Sequence, residues 1–182
     1  MYARLPVENA DTVSLVCALL GRFPEVSSLR TVPSDGTVRL TFAVKGRLDR
    51  AAQAELADAT IDHVHGLLLL EKDAPDVLQV ECESDRKVTF VHVTRDLETF
   101  SKGELEMLVG FFGERFGEAL VRTQMAGDYA ADDPAIADEA ALYAIEAMRD
   151  PAQSKSLVGF REEKRVLVYF LKTRKKPKAA RR

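Results

Sequence analysis

Hydrophobic and polar positions follow two periods along this chain, and the switches between them divide it into helices and hairpins. Val38, Leu40, Phe42 and Val44 alternate with Arg39, Thr41, Ala43 and Lys45, the period of two that puts one side of a strand in a core. Just before them, residues 29–32 and the turn Pro33-Ser34-Asp35-Gly36 complete a hairpin. A second hairpin joins Leu78, Val80 and Cys82 to a strand over 88–95 through Ser84-Asp85-Arg86-Lys87. A third runs from 157–160 through Arg161-Glu162-Glu163-Lys164 to 166–171. Both faces of that last strand are apolar, which predicts a central strand or one covered on both sides.

The helical period of 3.6 governs the segments between the hairpins. Residues 11–20 place Val13, Val16, Cys17 and Leu20 on one face, with Asp11 as cap and Gly21 and Pro24 as stop. Asp49 caps a long helix reaching about residue 70, with Ala52, Leu56, Ala59, His63 and Leu67 expected on its buried face. Ser101-Lys102-Gly103-Glu104 has the spacing of a capping box, stapled by Phe100 and Leu105. Leu105, Leu108, Phe112 and Phe116 follow as the buried face, with Gly110, Gly113 and Gly117 read either as points of close packing or as marking a frayed or kinked end. Residues 119–125 read as a short edge strand or a continuation of that helix. Asp133 and Pro134 start a fourth helix that Asp150-Pro151 ends.

Helices alternating with tight hairpins predict an α+β protein with a mainly antiparallel sheet built from helix-hairpin units. Residues 37–125 fit a split βαβ (ferredoxin-like) centre; three stacked αββ units are the competing description. At 182 residues the chain is expected to form a single α+β domain over 1–171, divisible into sub-units 1–125 and 126–171.

Charge changes the picture at the end of the sequence. Residues 172–182 hold seven basic residues and no acid: Lys172, Arg174, Lys175, Lys176, Lys178, Arg181 and Arg182. The remainder carries 19 basic against 29 acidic residues, so a body of about −10 precedes a tail of +7. Such a tail is expected to be disordered and to attract phosphates through counterion release, without interleaved aromatics for stacking.

Candidate chemistry is sparse. Cys17 and Cys82 lack CxxC spacing and read as buried thiols of a reducing compartment. His63 and His65, two apart on a helix, point to different faces and cannot chelate one ion. His63, Cys82 and His92 form a pocket only if the fold gathers them between sheet and helices. The acidic stretch Asp128, Asp132, Asp133, Asp138, Glu139 lacks EF-hand spacing. No dinucleotide fingerprint, P-loop, nucleophile elbow or HExxH occurs. No cofactor and no metal are therefore expected. With no unbroken aliphatic run longer than residues 67–70, neither a membrane span nor a signal peptide is expected, and the location is expected to be cytoplasmic.

These observations favour a non-catalytic accessory or regulatory protein. Its body is expected to bind a protein partner or itself, and its tail RNA, DNA or a ribonucleoprotein. The alternative is a small-molecule sensor or minor enzyme using the pocket at His63, Cys82 and His92. A third reading is self-assembly through an exposed sheet edge.

Overall fold

The computed structural model describes residues 7–123, 133–150, 155–163 and 165–171, with residues 7–12 as backbone alone; the basic segment 172–182 and Asp128 and Asp132 lie outside the described residues. Among the described residues the element order is α1 (Val7–Arg22), β1 (Val26–Val32), β2 (Thr37–Lys45), α2 (Arg50–Glu71), β3 (Leu78–Asp85), β4 (Val88–Asp96), α3 (Lys102–Phe116), α4 (Pro134–Met148), β5 (Leu157–Glu162) and β6 (Arg165–Phe170). The six strands form one antiparallel sheet in the order β3-β4-β2-β1-β5-β6. The fold is α+β, as the hairpin-and-helix order implies.

The centre follows the split βαβ order. Helix α2 carries the chain from β2 to β3, and the hairpin returns β4 to the side of β2. After α3, Leu120 bridges Val44 on the other side of β2. Among the described residues that bridge is all that forms of a closing strand, because β1 already pairs with β2 from Val26↔Phe42 to Val32↔Thr37.

Alternation decides which side of the sheet is covered. Leu29, Val38, Leu40, Phe42, Val91, Val93 and Leu157 share one face and are buried. All four described helices pack there. Cys82 of β3 reaches the backbone of α2, Phe42 meets Phe112 of α3 at 4.5 Å, and Gly159 of β5 lies under Val16 and Leu20 of α1. Helix α4 packs on α1, burying Ala141, Ala144, Ile145 and Met148.

The caps behave as their sequences predict at three helices, with Asp133 Oδ1 accepting from Ala135 N at 2.9 Å and Pro134 following it. Asp49 Oδ1 accepts from Ala52 N at 2.8 Å, and Ser101 Oγ accepts from Glu104 N at 3.1 Å. Other expectations need correction. Helix α1 starts at Val7, so Asp11 lies inside it rather than at its cap. The buried stripe of α2 is Leu56, Thr60, Val64 and Leu68, one residue round from the expected Ala59, His63 and Leu67. Thr60 could be buried because its hydroxyl donates to the Leu56 carbonyl at 2.7 Å. Strand β6 is an edge strand, with Val166 and Val168 packed on the core and Tyr169 and Phe170 exposed. Val166, Val168 and Phe170 share the helix-packed side and Leu167 and Tyr169 the other, so its two apolar faces are one packed side and one that no described helix covers.

The close approach of backbone to helix falls at Gly159 rather than at Gly110, whose surroundings are open. A Cβ at residue 159 would lie 2.4 Å from Val16 Cγ1 and 3.3 Å from Leu20 Cδ1. Gly159→Ala is expected to destabilise the protein by about 1–3 kcal/mol through overpacking. Val16→Ala removes the clashing methyl, so the double variant should be more stable than the sum of the singles implies. Urea unfolding of the four proteins measures this, and strict additivity would refute the clash.

Candidate functional site

The three pocket candidates of the sequence do not come together. His63 is on the exposed side of α2, donating from Nδ1 to the Ala59 carbonyl at 2.7 Å, its ring 4.2 Å from that of Phe111. Cys82 faces α2, with Sγ 3.7 Å from the Gln53 carbonyl, and burial pushes its thiol pKa up. His92 pairs in register with Thr41 and Glu81, one residue from Val91, so it points through the opposite side of the sheet from Cys82. Its Nδ1 is hydrogen-bonded to Thr41 Oγ1 at 3.0 Å. Burial, and secondarily Arg39, hold the imidazole pKa below its ordinary value. Among the described residues no group of three His, Cys, Asp or Glu side chains is placed to hold a metal ion.

A charged network that the sequence reading passed over lies inside the protein. Arg95 and Glu104 are fully buried, with Arg95 Nε donating to Glu104 Oε1 at 2.7 Å and its Nη2 to Oε2 at 3.0 Å. This is the two-pronged arrangement that a guanidinium and a carboxylate favour. Arg95 also donates to Asp96, to Thr99 Oγ1 at 2.9 Å and to the Val77 carbonyl at 2.8 Å. Asp96 accepts from Thr99 Oγ1 at 2.5 Å and from the amides of Val77 and Thr99. Those bonds and Arg95 outweigh burial and hold its pKa at about 2. Burial pushes Glu104 up, against the pull of Arg95. Every donor is matched, so the network locks α3 and the 97–100 turn onto β4 and leaves no group free for catalysis. The signal was in the alternation: Val91, Val93 and Arg95 share a parity, which puts Arg95 in the core.

Two hollows flank the helical side. A crevice between α1, α4 and β1, lined by Leu19, Leu29, Ala144 and Leu157, has room for about 20 Å³, enough for one water. At the end of the sheet a cleft of about 430 Å³ is lined by Asp35, Asp76, Asp96, Glu98, Arg149 and Asp150 among others. Asp96 is committed to the buried network, and Arg149 to the carbonyls of Leu97 and Phe100 at 2.9 and 2.6 Å. The cleft therefore offers no nucleophile with an adjacent base.

The face of the sheet that no described helix covers is different in kind. Two neighbouring cross-strand rows run over it, Gln79-Thr94-Arg39-Arg30-Val158-Tyr169 and Glu81-His92-Thr41-Ser28-Phe160-Leu167. On the β3 side the rows are polar and internally bonded. Arg39 donates to Thr94 Oγ1 at 3.0 Å and to Glu81 Oε2 at 2.9 Å. On the β5–β6 side they are apolar and aromatic, with the rings of Phe160 and Tyr169 5.7 Å apart and 13° from parallel. An antiparallel sheet commonly leaves one face to water, but a solvated face needs no ring pair. Comparison of the chain with protein-family models, with curated proteins and with solved structures gives no match.

Proposed function

We propose that the chain is a non-catalytic, cytoplasmic accessory protein whose body docks a partner and whose basic segment 172–182 contacts RNA or DNA. The observation that carries this reading is the sheet face that no described helix covers, whose aromatic side is formed by β5 and by β6, the strand that leads directly into the basic segment. The opposed charges of body and tail support it, because a polyanion repelled by the body at large would be engaged locally. The absence of any described helix long and apolar enough to cross a membrane fits the same reading. The buried network and the sheet-end cleft supply no catalytic constellation among the described residues, so binding is favoured over turnover.

The experiment is a salt titration of oligonucleotide binding by the full chain and by a chain lacking residues 172–182. Each phosphate neutralised contributes about −0.7 to the slope of log affinity against log salt for a single strand. With seven basic residues in the segment, its removal is expected to flatten the slope by several units and to weaken binding by orders of magnitude. An unchanged slope would remove nucleic acid from this reading.

A further inference from the structure

Arg30 and Arg39 are directly opposite each other on β1 and β2, on the uncovered face. Like charges so placed oppose strand pairing, and among the described residues only Arg39 is neutralised. Arg39 has Glu81 and Thr94. Arg30 is exposed and makes no ion pair among the described residues. The row continues from Arg30 through Val158 to Tyr169, which is 53% exposed beside Phe160. Two strand spacings of about 4.8 Å separate Arg30 from Tyr169, so an anionic group and a flat ring about 10 Å apart would meet both.

Charge elsewhere on this face confines a polyanion to the same half. Glu81 and Glu83 lie on β3 at the far edge, in register with His92 and Phe90, and repel phosphate there. On the near side Glu162, at the hairpin end, is opposite Arg165. The chain then leaves β6 through Leu171 into the seven basic residues of 172–182.

We infer that the β1–β5–β6 half of the open face binds single-stranded nucleic acid, Arg30 taking a phosphate and the Phe160–Tyr169 pair stacking a base. This rests on the nucleic-acid reading above and adds a site on the folded body to it. Stacking on aromatics needs an exposed base face, which a single strand offers and a duplex does not. A phosphate at Arg30 would supply the charge-assisted partner that Arg39 already has in Glu81.

The test is anisotropy titration of fluorescein-labelled oligodeoxythymidine, roughly a dozen nucleotides long, with the full chain and its Tyr169→Ala and Arg30→Glu variants. A duplex of equal length serves as the second probe. Tyr169→Ala is expected to weaken single-strand binding about tenfold, to leave the salt slope unchanged and to leave duplex binding unaffected. Arg30→Glu is expected to weaken it about tenfold and to flatten the slope by about 0.7 or more. Matching circular dichroism and melting curves would establish that both variants fold. Full affinity in both variants, with binding lost only on removing 172–182, overturns the face site and leaves the broader reading standing. No binding by the full chain at low salt overturns both. A dimer in sedimentation that Tyr169→Ala dissolves, with no oligonucleotide bound, would assign the face to a second copy and overturn the inference.

Discussion

Glu104→Ala is expected to destabilise the protein by about 3–5 kcal/mol, a large fraction of the stability of a domain this size. The substitution does not merely delete a hydrogen bond. It strands the Arg95 guanidinium at 0% exposure, with Asp96 as its one remaining anionic partner. Glu104→Gln keeps an acceptor but not the charge, and should fall between Ala and the native residue. The pair itself is a weak source of stability, since two ions leave water to form it. Arg95→Met combined with Glu104→Leu is therefore expected to be less destabilised than either single change. It will not fully recover, because the Val77 carbonyl loses its donor from Arg95. Urea unfolding with an unchanged m-value is the measurement. A loss below about 1 kcal/mol for Glu104→Ala would mean that water reaches Arg95, contrary to its burial.

Local signals carried the elements well and the faces less well. Asp49 and Ser101 cap the helices that their side chains predict because capping depends only on residues within one turn. The alternation of β2 survives for the same reason. What failed depends on residues far apart in sequence. Glu104 has the position of a capping-box acid, yet its carboxylate turns inward because Arg95, nine residues earlier, is a stronger partner than a backbone amide. The apolar run of β6 predicted burial on both sides, and only the sheet order shows that it lies at an edge. The stripe of α2 was misplaced by one residue because Ala59 and Val64 both fit a helical period, and packing against β3 selects between them. Cys82 and His92 were legible as strand residues, but their opposite sides follow only from the register of β3 on β4.

The same logic explains why the candidate site was invisible. Arg30, Arg39, Val158 and Tyr169 span 140 positions of sequence and meet only as a row across four strands. No motif spacing encodes such a row. A lone exposed tyrosine or arginine is ordinary; their alignment on an uncovered face is not. The basic segment, legible from composition alone, gained its setting from the discovery that β6 is both the edge and the aromatic flank.

Phe112→Ala is expected to cost about 3–5 kcal/mol, the range for truncating a fully buried ring. Phe112 is 0% exposed, and its ring lies 4.5 Å from Phe42, 5.2 Å from Phe111 and 6.4 Å from Phe116. It thus joins α3 to the centre of the sheet, and the cavity left behind is walled by strands that cannot collapse into it. Phe112→Leu retains most of the volume and should lose less, while Phe116→Ala, half-buried, should be milder than Phe112→Ala. This position also separates stability from binding. Phe42 is in the core, whereas its neighbours Arg39, Thr41 and Ala43 face the other way, so the open face is built on the same strand without sharing side chains. At temperatures where Phe112→Ala remains folded, its oligonucleotide affinity should equal that of the native chain. A parallel loss of affinity and stability would show that the face depends on the packing beneath it, and the effects of Tyr169→Ala and Arg30→Glu would then need the same correction.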